Sequence, residues 1–216
     1  AQPAAAFRPR MQDPGALTLI LFVQDLDVVL NRARAAGFPI VTTGGIVGVG
    51  NNGAIKASVV QGPDGEFVEL LQPPAAAPTA NPAASPVAVP PPGASNVLRG
   101  NVRVSVADAN AAAKAYEALL GIPFRGGPAP VADPGVPAML GQPGATFHLR
   151  IGQFPSSGMT FELLEIAGPG KASARAARGA PGSVYLRVGL TPARMPAAGA
   201  QTDYDNLFLI LSSVAR

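Results

Sequence analysis

Two glutamates set in short apolar strands are the residues of this chain best suited to chemistry: Glu69 in Phe67-Val68-Glu69-Leu70-Leu71 and Glu162 in the run from Met159 to Ile166. A carboxylate among apolar neighbours has two readings, an edge position open to water or a ligand for a metal or substrate. Strand alternation puts Phe67, Glu69 and Leu71 on one side and Val68 and Leu70 on the other. The single histidine, His148, lies between Phe147 and Leu149 and there is no cysteine, so thiolate metal sites, disulfides and cysteine nucleophiles are excluded. His148 reads as a solvated or hydrogen-bonded strand residue, with ligand or general base as the alternative. Ser156-Ser157-Gly158 is a turn without the His and Asp that nucleophilic work requires. Gly48-Val49-Gly50-Asn51-Asn52-Gly53 matches the dinucleotide fingerprint by letter, but the β-branched stretch after it is strand-like, and the fingerprint needs a helix there.

Composition limits what these groups can belong to. With 216 residues, 48% of them hydrophobic and 13% charged, the chain can build one large or two small domains with a real core. The 24 prolines and 25 glycines imply that part of it is linker or loop. A net charge of +3 is carried by scattered Arg and Lys, so nucleic acid is not an expected partner. No apolar run has membrane-spanning length, so a membrane is not expected either. The start Ala1-Gln2-Pro3-Ala4-Ala5-Ala6 resembles the head of a chain after signal-peptide removal, which sets a periplasmic or secreted location as the expectation, with a cytoplasmic one otherwise.

The elements that must position the glutamates follow in order. Residues 1–16 read as a flexible tail ending in the turn Asp13-Pro14-Gly15. Leu17 to Gln24 is an apolar strand, and Asp25 caps a helix in which Leu26, Val29, Leu30 and Ala33 share a face until Gly37 and Pro39 stop it. Ile40 to Thr43 and Lys56 to Gln61 read as strands joined by a glycine-rich loop. Pro63-Asp64-Gly65 then turns the chain into the strand Glu66 to Gln72. This is a β-α-β-β-β module. Residues 73–95, rich in Pro and Ala, form a semi-rigid linker. The plan then restarts with Asn101 to Val106, a helix capped by Asp108 and ended by Gly121, a Pro- and Gly-rich loop from Gly126 to Gly144, and strands Thr146 to Ile151 and Met159 to Ile166. A third copy opens at Pro181-Gly182-Ser183 and closes abbreviated, with Ile210 where Glu69 stands in the first.

Strand, capped helix closing in Ala-Ala-Gly, glycine-rich hairpin and a Pro-Asp-Gly turn into ELLQ resembles the vicinal oxygen chelate superfamily, the glyoxalase, bleomycin-resistance and extradiol-dioxygenase group. The stretch NVRVSVADANAAAKAYEALLGIPF resembles its opening half-domain independently. The resemblance implies an α+β fold of repeated β-α-β-β-β modules whose mixed sheets form a cup. Residues 17–72 would then be one module, and residues 96–216 a second domain with an abbreviated closing half. The 17–72 module needs a partner: the 96–166 module, the same segment of a second chain, or a piece outside this sequence. A homodimer is the expectation that follows, since an unpaired half would expose a sheet edge.

The family's metal, where present, is held by His or Glu of each module's first strand and Glu of its last. Those positions fall here on Thr18, Asn101 and Ser183 for the first strands and on Glu69, Glu162 and Ile210 for the last. Hydroxyls and amides bind Zn, Fe or Mn weakly. The resemblance therefore implies a divalent metal (Zn, Mn, Fe or Ni) on Glu69 and Glu162, with His148 joining, or no cofactor if the site is degenerate. Alternation adds a second expectation. With Val102, Val104 and Val106 on the helix, Asn101, Arg103 and Ser105 face the cup, as do Ser183, Tyr185 and Arg187 in the third copy. Arg103 and Arg187 would clamp an anionic small molecule, or else pair with Glu162 or Glu165. Two functions result: a metal-dependent lyase, isomerase or dioxygenase acting on a small oxygenated substrate, or a non-catalytic small-molecule binder of the bleomycin-resistance type. The catalytic residues stay unassigned.

Overall fold

The computed structural model describes residues 9–63, 65–74, 95–126, 130–131, 133–167, 185–196 and 208–213. Most of the 73–95 linker, Ser183 and Asp64 lie outside the described residues. The strands are β1 (Leu17–Val23), β2 (Val47–Val49), β3 (Ile55–Gln61), β4 (Phe67–Gln72), β5 (Val97–Val106), β6 (Phe124–Arg125), β7 (Thr146–Gln153), β8 (Thr160–Ala167), β9 (Tyr185–Leu190) and β10 (Phe208–Ser213). The helices are α1 (Leu26–Ala35), α2 (Ala109–Leu120) and α3 (Gly135–Met139). Among the described residues no helix is long and apolar enough to cross a membrane.

Each long helix begins and ends as its sequence dictates. Asp25 accepts a hydrogen bond from Val28 N at the start of α1, and Asp108 accepts from Asn110 N and Ala111 N at the start of α2. Gly121 ends α2 in the left-handed region at φ 69°, which a side chain would make costly. Gly65, at φ 91°, does the same for the turn into β4.

Eight strands form one mixed sheet in the order β2-β3-β4-β1-β5-β8-β7-β6. Within each module the first and last strands run parallel, β1 with β4 and β5 with β8. The modules join antiparallel at β1 and β5, with Leu17 opposite Val104 and Thr18 opposite Arg103. The 17–72 module is thus completed by the 96–166 module of the same chain. The argument for a homodimer from an orphan half falls away with it. The grouping of 96–216 into one cup also gives way, because β9 and β10 form a separate two-stranded sheet. Their parallel register nonetheless repeats the plan: Ile210 stands opposite Arg187 as Glu162 stands opposite Arg103.

The sheet has a helix side and a cup side. Helix α2 covers Val102, Val104, Val106, Phe161 and Leu163, and the β9 residues Val188 and Leu190 pack into the same cluster. Helix α1 packs on Val60 and Leu70 with Val23. The opposite face carries Val59, Phe67, Phe147, Leu164 and Ile166, and here the chain fills its own cup with Met11, Ala16, Met139 and Leu140. The tail therefore needs correction: residues 9–16 are packed, because Met11 is 3% exposed in an apolar hollow and Asp13 binds Arg10 through backbone and guanidinium.

Two further sequence expectations change. Ile40–Thr43 is not a strand; Ile40 makes a single bridge to Val60 and the hairpin strand is β2. The reason is that Thr42 Oγ accepts from Val59 N and donates to the carbonyl of Met139, so a side chain takes the backbone donor that a ladder would use. The loop of 126–144 contains α3, whose Val136, Met139 and Leu140 fall at helical spacing and pack toward the cup. The glycine run closes the β2–β3 hairpin through a 3₁₀ turn at Asn51–Gly53, and β3 follows it directly.

Candidate functional site

Three charged side chains meet on the cup side at the junction of the two modules. Glu69 projects from β4, Arg103 from β5 and Glu162 from β8, and they are 1%, 8% and 9% exposed. The register explains the meeting. β5 lies between β1 and β8, so Arg103 stands directly beside Glu162 and reaches across β1 to Glu69, where the partner in β1 is Ile20, too short and apolar to intervene.

The guanidinium spends its donors on both carboxylates. Nε and Nη2 of Arg103 donate to Glu162 Oε2 at 2.9 and 2.6 Å. Nη1 donates to Glu69 Oε2, and Nη2 to Glu69 Oε1 at 3.4 Å. The other oxygen of Glu162 accepts from the Thr160 hydroxyl at 3.4 Å. Asn101, 6% exposed, is occupied as well, its side-chain oxygen accepting from Thr160 N at 3.1 Å. Thr18 is buried beside Arg103 in register.

Burial pushes Glu69 above its ordinary carboxylate value of 4.5; the Glu162 charge pushes the same way and the Arg103 charge opposes both. Burial also works against the charge of Arg103, but the two carboxylates outweigh it and hold the guanidinium above its ordinary range. With both acids ionised the cluster carries one negative charge in excess. A pH dependence follows. Folded Glu69 holds its proton more tightly than unfolded Glu69, so its contribution is full below pH 4.5 and is lost as pH rises from there through the folded value. Glu69→Gln should flatten that decline. Urea unfolding of both proteins from pH 4.5 to neutrality checks it, and a wild-type profile no steeper than that of the variant would contradict it.

This arrangement does not fit a divalent metal ion. The two candidate carboxylates are bridged by a guanidinium, where a cation with about three protein ligands would stand. No imidazole reaches them. His148 faces the helix side, in register with Glu165, its Nδ1 3.4 Å from Glu165 Oε2, while that carboxylate accepts from Ala109 N at the start of α2. Alternation is the cause: Phe147 and Leu149 point to the cup, so His148 cannot. Among the described residues no group of three His, Cys, Asp or Glu is placed to hold a metal.

The anion clamp fails for the same kind of reason. Arg103 is engaged by two acids, and Arg187 lies exposed on β9, whose Val188 and Leu190 pack on the helix side of the sheet. Tyr185 stands in register with Phe208 in the separate β9–β10 sheet. Of the expected residues the structure thus brings together Glu69, Glu162, Arg103, Asn101 and Thr18. It separates His148, Arg187 and Tyr185 from them.

Part of the cup face is filled by the chain itself and part of it is partly exposed. At the end nearest Phe67, Phe147 and Ile166 the apolar residues are buried under Met11, Met139 and Leu140. Elsewhere on the same face Leu71, half-buried, packs against that cluster, Phe22 is half-buried, Ile151, 36% exposed, stands in register with Glu162, and Gln153 is exposed. Arg99 stacks on the Phe22 ring there, 3.9 Å from its centroid. Alternation along FVELLQ set Leu71 on the side of Glu69 from the sequence, whereas Phe22, Ile151, Gln153 and the plug of Met11, Met139 and Leu140 were not singled out by it.

No protein-family model and no curated protein matches the sequence. Solved structures similar to it include glyoxalase I from Zea mays, at 15% identity, covering 68% of this chain and 41% of that one, TM-score 0.39. Methylmalonyl-CoA epimerase from Streptomyces coelicolor matches at 15% identity over 72% of this chain and 96% of that one, TM-score 0.40. A glyoxalase/bleomycin resistance protein/dioxygenase superfamily member from Vibrio splendidus 12B01 matches at 14% identity over 68% and 96%, TM-score 0.35. The chain thus spans less than half the length of the maize protein. Two β-α-β-β-β modules, each closing its first strand parallel against its last and joined antiparallel at their first strands, form one mixed eight-stranded sheet, the modular α+β arrangement expected from the sequence.

Proposed function

We propose that this protein binds a small, predominantly apolar, uncharged molecule on the partly exposed part of its cup face and does so without a metal ion. The observation that carries the reading is the bridging of Glu69 and Glu162 by Arg103, which occupies the carboxylates a metal-dependent enzyme of this fold would need. It also supports an uncharged ligand. A carboxylate or phosphate over this site would meet one excess negative charge in a buried setting, and the guanidinium that could attract it is already paired on both sides. Phe22 and Ile151 offer apolar contact, while Gln153, exposed and donating through its amide nitrogen to the Gly158 carbonyl, keeps its side-chain oxygen for a polar substituent. Fold alone does not choose between binder and enzyme; the paired donor set supports the binder.

The test uses N-phenyl-1-naphthylamine, a neutral apolar dye that fluoresces when it leaves water. Saturable binding to the wild-type protein is expected, unchanged by EDTA. Ile151→Asp should weaken it by about tenfold or more, because a carboxylate placed against the bound ring must be desolvated, and tenfold corresponds to about 1.4 kcal/mol. Ile151 is partly exposed, so the variant should keep the wild-type unfolding midpoint. Binding that vanishes with EDTA, or that Ile151→Asp leaves untouched, would overturn the proposal.

A further inference from the structure

We infer that Asn101 and Gln153 together hold an uncharged carboxamide of the ligand, Asn101 donating to its carbonyl oxygen and Gln153 accepting from its N–H, so that the ligand class is a small apolar secondary amide. The inference rests on the reading of the cup face as a site for a neutral apolar molecule, and its test separates the failure of one from the failure of the other.

Register lines these two residues up across the sheet. Asn101 of β5 accepts through its side-chain oxygen from the backbone N–H of Thr160 in β8, and Gln153 of β7 stands opposite Thr160 on the other side. Asn101 shares the cup face with Arg103, two residues on, and Gln153 shares it with Ile151, so both side chains project to one side. Asn101 is 6% exposed, and the bond from Thr160 N fixes which end of its amide is the oxygen. Its Nδ2 makes no hydrogen bond to any described residue, so a buried amide meets the cup with its donors unspent. Burying donors without a partner is costly, and an acceptor on a ligand recovers that cost. Gln153 is the converse case: its Nε2 is spent on the Gly158 carbonyl, and its oxygen remains to accept.

Span and charge select the group that fits between them. Strands β5 and β7 flank β8, which sets the backbones at Asn101 and Gln153 about 9–10 Å apart. A trans secondary amide with one hydrogen bond at each end spans about 8 Å from donor to acceptor atom. Thr160, short and turned toward Glu162 through its hydroxyl, leaves room for it. A ketone or ester would leave the Gln153 oxygen unmet, and an amine would leave Asn101 Nδ2 unmet. Charge agrees with a neutral group. Arg99 lies two residues before Asn101 on the same face, stacked on Phe22 and without a carboxylate partner among the described residues. With Arg103 it balances Glu69 and Glu162, so these four charges sum to zero. A polar but uncharged group keeps that balance, with its oxygen on the β5 side where Arg99 lies, whereas a carboxylate would add an uncompensated charge.

The experiment titrates N-methyl-1-naphthamide, its N,N-dimethyl analogue and 1-naphthoate into the protein by calorimetry, beside the neutral dye. Wild type should bind the secondary amide about tenfold more tightly than 1-naphthoate, and about threefold more tightly than the N,N-dimethyl analogue, which keeps the carbonyl but has no N–H. Gln153→Met should erase the second difference. Asn101→Leu, which keeps the bulk and removes the donor, should lower the affinity for the secondary amide about tenfold relative to that for the dye. If Asn101→Leu does not fold, the wild-type series and Gln153→Met, a change at an exposed position, decide the question. The inference is overturned, with apolar binding left standing, if 1-naphthoate or the N,N-dimethyl analogue binds as tightly as the secondary amide, if Asn101→Leu leaves the ratio of amide to dye unchanged, or if the dye binds and the amide does not. If the dye itself does not bind, the reading of the cup face falls and this inference falls with it.

Discussion

Arg103→Met is expected to lower the unfolding free energy by about 3–5 kcal/mol, the scale for breaking a buried ion pair by removing one partner. The change keeps most of the side chain's length and removes the charge, so the loss reports on what it leaves behind: two carboxylates, 1% and 9% exposed, facing each other without a cation. Neither can simply turn to water. Urea unfolding at neutral pH gives the magnitude. The deficit should shrink on acidification, because protonating the two acids removes the repulsion that the guanidinium had offset. The charges are also expected to be coupled. Glu69→Gln alone should be much milder, since it leaves Arg103 and Glu162 as a balanced pair, and in the Arg103→Met background it should restore part of the loss. A deficit below about 1 kcal/mol, within the range of exposed pairs, would mean that water reaches the triad.

Phe161→Ala is expected to cost about 3–5 kcal/mol as well, through an unrelated cause. Phe161 is fully buried on the helix side of β8, next in sequence to Glu162 but pointing the opposite way. Its ring meets Tyr116 edge-on at 5.1 Å and Phe124 at 5.8 Å, and stacks on Phe154 at 6.0 Å. Removing it opens a cavity between the sheet and α2 and takes away the contacts that hold β8 against the helix. Because the ring lies on the other face, binding of the neutral dye should survive wherever the variant is folded. Denaturant unfolding gives the first quantity and dye titration at low temperature the second. A loss under about 1 kcal/mol would show that the aromatic cluster is not the anchor of α2.

The modular plan was legible because its signals are local. Asp25 and Asp108 announce the helices, Gly121 ends one of them, and Pro63 and Gly65 prepare the turn into β4. The acids were legible too, since Glu69 and Glu162 interrupt apolar strands whose alternation fixes their side. Arg103 was placed on the cup side by the same count, but its partners were not, because pairing across β1 depends on which strands become neighbours. Strand order is a non-local property. The plug was missed for a related reason: Met11 and Leu140 lie in stretches of turn-forming composition, and only the hollow between two modules gives them something to fill. His148 shows the same limit: alternation set it opposite Phe147 and Leu149, but only the packing of those two in the cup put it on the helix side.

The most direct test of the central claim is the metal content of the purified, dialysed wild-type protein after incubation with Zn, Mn, Fe and Ni, repeated for Glu69→Gln and Glu162→Gln. With the guanidinium of Arg103 holding both carboxylates, wild type should retain far less than one ion per chain, and the two variants should retain no less than wild type does. Near-stoichiometric metal in wild type that disappears with either substitution would contradict the account, and would make Arg103 a neighbour of a metal centre, not its replacement.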